Sequence, residues 1–194
     1  MSQYERLVEI AADQHGVLRA ADATDAGIAS SALRRFVTDG RLQRVAHGVY
    51  RVVALPADAL TPYLEAVLWS NGFGVISHAS AIEVLRLADF APRRIHLTVP
   101  AAYNPRKAGG QHYRVHRINL EPAELTTHKG VPVVTSYLAI LQSIDDGEDP
   151  EQLRLATRTA RARGLLTRSE SSGLYKGRVS TRPRPSLRPP HRPV

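Results

Sequence analysis

Between residues 28 and 53 the hydrophobic period of the chain switches from helical to alternating, and that switch restricts what it can fold into. Leu33, Phe36 and Val37 make one stripe of a helix that Ser30 is placed to cap, and Asp39-Gly40 ends it. Arg41–Val45 and Val49–Val53 then alternate about His47-Gly48, the length of a two-residue hairpin turn. Upstream, Tyr4, Leu7, Val8 and Ala11 recur at helical spacing in a helix expected to stop near Gly16. A short Ala-rich helical piece is expected over Leu18–Asp25, and Ala26-Gly27-Ile28 make a tight turn in which glycine can take positive φ. Helix, turn, helix and hairpin in this order predict a winged helix-turn-helix.

With Leu33, Phe36 and Val37 turned inward, Ser30, Ser31, Arg34, Arg35 and Thr38 share the outer face of the second helix. Arginine can fork onto guanine O6 and N7, while serine and threonine reach phosphates, so this face is the expected DNA-reading surface. Arg41, Arg44, His47 and Arg51 sit on or beside the wing, where backbone or minor-groove contacts are usual. The competing expectation is that Arg34 and Arg35 are solvated, paired with Asp39 or Asp22. Residues 1–53 hold seven basic and six acidic side chains, so the argument rests on a local cationic face rather than on net charge.

The sequence divides into an expected winged-helix domain at 1–55, a mixed α/β domain at 56–176 and an Arg/Pro-rich tail at 177–194, an α+β chain overall. In the second domain Pro56–Leu60 is a linker, and Thr61-Pro62 reads as N-cap and first helical residue. Val75-Ile76 is a short buried run, and Ala79–Leu87 reads as a helix capped by Ser77. Strands are expected at Ile95–Val99, Tyr113–Ile118 and Val131–Val134, with a surface loop at Ala101–Gly110. Helices are expected at Ser136–Ile144, at Pro150–Arg163 and after Thr167, the last two opened by capping-box-like pairs, Asp149 with Gln152 and Thr167 with Glu170.

The formal net charge is +8, yet residues 168–194 hold seven basic side chains against Glu170 alone. Most of the excess therefore belongs to the tail, whose prolines exclude helix and sheet and predict a disordered, polyproline-like segment. It is either a solvated extension or an arm that touches phosphates. A secondary basic surface is expected from Arg93, Arg94, Arg106, Lys107, Arg114 and Arg117 around two strands and their loop. Arg154, Arg158 and Arg161 form a stripe along one helix, read either as a phosphate-tracking face or as a solvated one. The acids Asp145, Asp146, Glu148, Asp149 and Glu151 precede that stripe, placed against the helix dipole.

With no cysteine among 194 residues, disulfide scaffolds, thiolate zinc sites and thiol nucleophiles are excluded. No apolar run approaches the length of a membrane span, and Met1–Arg6 lacks the regions of a secretion signal, so a cytoplasmic protein with no membrane partner is expected. Ser77, His78 and Ser80 lie within one turn and no strand-to-helix nucleophile elbow is present, so His78 is expected to cap a helix or fill a polar notch. His112 and His116 fall on one strand face with cationic neighbours and no nearby carboxylate, which argues against a metal. Beyond Glu151 only Glu170 remains to hold Mg²⁺ in a nuclease, and no glycine-rich phosphate loop occurs. A non-enzyme without cofactor or metal is expected.

The segments His15-Gly16-Val17-Leu18, Arg34 to Leu42 and Val45 to Tyr50 resemble the N-terminal domain of AbiEi-type antitoxins of type IV toxin–antitoxin systems. The resemblance continues through Ile76 to Ala81, His96 to Pro100 and Gly130 to Ser136, covering most of residues 4–165, while the tail departs from it. It implies a winged helix that binds double-stranded DNA at repeats in its own promoter and represses its operon. It also implies a second domain that counteracts a nucleotidyltransferase-type toxin. By position, Arg34, Arg35, Thr38, Arg41, Arg44 and His47 would carry the DNA contacts. Two further expectations stand beside this one: a stand-alone winged-helix regulator whose second domain dimerises or senses a ligand, and a protein that binds the toxin directly. Oligomeric state is open.

Overall fold

The computed structural model describes residues 1–105 and 110–175. The tail at 177–194, and with it the expectation of disorder, lies outside the described residues, as do Arg106 and Lys107.

Helix α1 (Gln3–Ala12) starts at a capping box in which Ser2 and Glu5 satisfy each other's backbone N–H, and it buries Leu7 and Ala11. Strand β1 (Val17–Arg19) follows, then α2 (Ala20–Asp25), so the expected helical piece over Leu18–Asp25 is part strand. Val17 and Leu18 are fully buried and pair with Arg51 and Tyr50, and that pairing overrides the helix preference of the alanines behind them. Helix α3 (Ser30–Thr38) buries Ala32, Leu33 and Phe36 but leaves Val37 half-buried. Its N-cap is Ala29, without a side-chain cap, so Ser30 is the first helical residue rather than the cap. Strands β2 (Leu42–Ala46) and β3 (Val49–Val52) form the hairpin, with Gly48 at φ +72 in its turn. The sheet order β1-β3-β2 is antiparallel throughout.

Helix α4 (Thr61–Trp69) joins the two regions. Its N-cap is Leu60, and Asp58 Oδ1 accepts the N–H groups of Leu60 and Thr61 at 2.8 and 2.9 Å, the role expected of Thr61. The Thr61 hydroxyl instead donates to the His15 carbonyl at 3.0 Å. Tyr63, Leu64, Ala66, Val67, Leu68 and Trp69 are all buried, because α4 lies between the wing sheet and a second sheet. Val17 and Val49 of the wing sheet belong to the larger core cluster with these residues. The His15 ring ties the same seam, with Nδ1 2.8 Å from Asp58 Oδ2 and Nε2 2.7 Å from the Lys129 carbonyl. Burial raises the Asp58 carboxyl pKa, but the hydrogen bonds from His15, Leu60 and Thr61 outweigh it and hold it below the ordinary range.

The second sheet contains β4 (Val75–Ile76), β5 (Ile95–Val99), β6 (Tyr113–Arg117), β7 (Leu125–His128) and β8 (Val131–Val134), in the order β6-β5-β4-β8-β7. It is mixed: β5 with β6 and β4 with β8 are parallel, the other two pairs antiparallel. Strand β7, unforeseen in the sequence, is an exposed edge segment, Leu-Thr-Thr-His, without an apolar alternation. Trp69, 1% exposed, packs from α4 against Tyr113 at 4.8 Å between ring centroids. The approach of α4 to β5 needs Gly74, where a Cβ would lie 2.5 Å from Ser70 Oγ and 2.6 Å from Leu97 Cδ1.

The opposite face of the sheet carries α5 (His78–Val84) and α6 (Ser136–Asp146), followed by α7 (Pro150–Ala162) and α8 (Arg168–Gly173). Ser77 occupies the N-cap of α5 without capping it through its side chain, because its hydroxyl accepts from Thr98 Oγ1 at 2.8 Å. Asp149 caps α7 through the Glu151 N–H rather than in a box with Gln152, whereas Thr167 and Glu170 do form a capping box on α8.

Candidate nucleic-acid interface

Helix α3 presents its polar residues as the stripe argument requires. Ser30, Ser31, Arg34, Arg35 and Thr38 are all exposed, while Ala32, Leu33 and Phe36 fix the opposite face. Neither expected acid pairs with the arginines: Asp22 is taken by Arg19 at 2.6 Å, and Asp39 is the C-cap of α3. Among the described residues Arg34 and Arg35 form no ion pair. The Arg35 guanidinium lies 5.2 Å from the Phe36 ring centroid, and Thr38 Oγ1 donates back to the Arg34 carbonyl at 3.1 Å.

Arg41, at the entry to the wing, stacks on the Tyr4 ring at 3.6 Å and lies 5.3 Å from Phe36, which joins α1, α3 and the wing beneath one cation. On the wing itself Arg44 Nη2 lies 3.2 Å from His47 Nδ1, and both side chains are exposed beside the turn.

Arg51 is placed elsewhere. The register sets Gln43 opposite Arg51 and Arg44 opposite Tyr50, so Arg51 and Arg44 lie on opposite faces of the hairpin. Arg51 donates to Gln43 Oε1 and lies 4.0 Å from Glu65 of α4. Burial raises the Glu65 pKa while Arg51 opposes that shift. Arg51 is thus bound to the seam between wing and α4, whereas Ser30, Ser31, Arg34, Arg35 and Thr38 lie on α3, Arg44 and His47 beside the wing turn, and Arg41 between them.

Among the described residues, the secondary basic side chains Arg114 and Arg117 lie on opposite sides of β6. Arg114 pairs with Asp146, with Nη2 donating to Oδ1 at 3.0 Å, and Arg117 donates to the Ala101 carbonyl at 2.7 Å. Arg93 and Arg94 are exposed before β5. Arg154, Arg158 and Arg161 keep their stripe on α7, with Arg154 paired to Glu151, and Arg158 and Arg161 line a groove shared with Ser171 and Ser172 of α8. Asp146, grouped in sequence with the acids ahead of α7, is instead drawn under β6 by Arg114.

Sequence reasoning missed a cluster in the second sheet. His116 does not share a strand face with His112, which is exposed in a short 3₁₀ turn before β6. It stacks on His78 at 3.7 Å, and His96 lies 5.2 Å from both rings. His78 and His96 are 6% and 5% exposed, so His78 fills a buried polar notch, as expected. Burial first, then the neighbouring cations, lowers the pKa of His78 to about 3 and of His96 to about 4, while His116 is lowered by burial and Arg114 against Asp146. The three positions are 18 and 20 residues apart, a spacing with no local signature; only the parallel β5–β6 register and the α5 N-terminus bring them together.

Helix, turn, helix and hairpin in this order make the N-terminal region a winged helix-turn-helix in fold. Residues 5–53 are similar to the family model described as "Transcriptional regulator, AbiEi antitoxin". The chain is also similar to the crystal structure of the RV2827C protein from Mycobacterium tuberculosis. That match has 16% identity and a TM-score of 0.48, covering 90% of this chain and 81% of that one. No curated protein matches the chain. No helix among the described residues is long and apolar enough to cross a membrane.

Proposed function

We propose that the protein is a cytoplasmic antitoxin that binds repeated sites in its own promoter, represses its operon and counteracts a nucleotidyltransferase-type toxin. The observation that carries the DNA half of this reading is the exposed Arg34–Arg35 face of α3, without ion pairs among the described residues and continuous in sequence with Arg41, Arg44 and His47 of the wing. In the proposed complex α3 lies in the major groove, where Arg34 forks onto a guanine and Ser30, Ser31 and Thr38 reach flanking phosphates. The wing steadies the docking through Arg44 and His47, and Arg158 and Arg161 extend the phosphate footprint along α7. The protein works by occupying DNA and performs no catalysis of its own in this account.

The test is a gel shift on the DNA upstream of the gene against a scrambled duplex, at several salt concentrations. Preferential binding that persists as salt rises supports a sequence-reading repressor. Weak, uniform binding erased by salt contradicts it and leaves only phosphate tracking. The toxin half is tested by co-expression with a nucleotidyltransferase-type toxin whose expression arrests growth: rescue of growth is expected, and unrelieved toxicity contradicts it.

A further inference from the structure

Three lone-pair donors from three separate elements meet at one buried point of the second sheet, beside a carboxylate. We propose that His78, His96 and His116, with Asp146 as fourth donor, bind one divalent transition-metal ion of the zinc class.

The argument begins with distances. One ring nitrogen from each histidine lies within 4.8 Å of the others, and His96 Nδ1 is 3.6 Å from Asp146 Oδ2. Donors around tetrahedral zinc, at bonds of about 2.0–2.1 Å, stand about 3.3 Å apart. The closure required is of the size that side-chain rotation supplies.

Satisfaction of polar atoms gives a second, independent argument. His96 Nδ1, His116 Nε2 and Asp146 Oδ2 are all buried and, among the described residues, all lack a hydrogen-bond partner. Buried polar atoms are seldom left so, and these three belong to the residues of two donor groups that share His96. A proton between His96 and Asp146 would serve two of them at most, and 3.6 Å is too long for that bond. It would leave His116 unanswered. A cation accepts lone pairs from all three at once.

The surroundings hold the donors in place. His78 Nδ1 lies 3.0 Å from Ser77 Oγ, which is itself fixed by Thr98; with Nδ1 donating to that oxygen, Nε2 keeps its lone pair for a metal. The His96 N–H donates to Ser80 Oγ at 2.9 Å, and the His78 N–H donates to Gln142 Oε1 at 3.2 Å. Arg114 holds Asp146 through Oδ1, and its Nη1 is also 3.0 Å from Oδ2 without a hydrogen bond to it. That guanidinium repels a dication, but Asp146 and Glu148, whose donor atoms lie within 4.8 Å of each other and of His96, offset it. Three imidazoles and one carboxylate suit zinc, cobalt or nickel rather than calcium or magnesium. The ion would clamp α5, β5, β6 and α6 together, and none of its ligands lies on α3 or the wing.

The full chain, stripped with a chelator and dialysed, is titrated with Co²⁺ as an optical probe and then with Zn²⁺. The expected result is saturable binding of one Co²⁺ per chain with the visible absorption of a four-coordinate site, displacement by Zn²⁺, and a raised thermal midpoint. His116→Gln should weaken Co²⁺ binding by at least about 100-fold, since loss of a mere orienting partner costs 10–100-fold. His112→Gln, on the exposed turn, should bind as the unaltered protein does. Absence of saturable Co²⁺ and Zn²⁺ binding by the unaltered protein overturns the proposal, whatever the variants do. Equal affinity in His116→Gln also overturns it, because the ion would then sit elsewhere.

Discussion

The two regions of this molecule keep their chemistry on opposite sides of their surfaces. In the winged helix the arginines stand outside, on a helix whose inner face is Ala32, Leu33 and Phe36, and they have few partners within the chain. In the second region the titratable groups are drawn inside, where His78, His96 and His116 face one another and Asp146 lies beside His96. A surface that reads DNA must leave its donors unsatisfied by protein, so that nucleic acid can satisfy them. A buried cluster cannot be left unsatisfied without cost, and its orphaned atoms therefore point to an occupant.

The comparison can be broken most severely in the core. Phe36→Ala should cost about 3–5 kcal/mol in chemical denaturation. Because Val17 and Val49 of the wing sheet lie in the larger core cluster, the loss should appear as one cooperative transition with a lower midpoint. Two separate transitions would show that the regions fold independently.

The next effect is on binding. Arg34→Ala should cost about 1–3 kcal/mol on the preferred site, if its contact is bidentate, and leave stability within about 0.5 kcal/mol. Equal loss on preferred and random DNA would remove base reading from Arg34. At the seam, His15→Ala deletes the ring that meets Asp58 and the Lys129 carbonyl, and should cost about 1–2 kcal/mol of stability with little change in DNA affinity at matched temperature.

The two faces of the wing sharpen the contrast further. Arg44→Ala should lower affinity on all sequences and reduce the salt slope by about one. Arg51→Ala, on the face bound to Gln43 and Glu65, should leave the slope unchanged. A matching drop for both would mean that the whole hairpin is buried in the complex. The smallest effect is expected from Arg158→Ala with Arg161→Ala: a shallower salt slope with intact site preference, or no change if the α7 stripe is only solvated.

What could be read from sequence follows the same division. The order α1, α3, β2, β3 and the outward residues of α3 were legible because each depends on a local period of 3.6 or 2. The partners of Arg51 could not be read in advance, because strand alternation says that two residues differ in face but not which face meets α4. Ser30 and Thr61 were assigned N-cap positions that Ala29 and Leu60 occupy, since helix starts shift by a residue with the local backbone turn. Strand β1 was hidden by alanines whose helix preference yields to sheet pairing, and β7 by its polar residues. The histidine cluster was illegible for a stronger reason: β6 joins β5 in parallel, and α5 and α6 cover the same face, so its members meet only through topology. His112, the near neighbour that seemed to share a face with His116, lies outside the strand.

The most direct test of the central claim compares the protein with an Arg34→Ala, Arg35→Ala double variant on promoter and scrambled DNA at one fixed salt concentration. The account predicts that the ratio of the two affinities collapses toward one in the double variant while weak, salt-sensitive binding persists. An unchanged ratio would contradict it and move sequence reading away from α3.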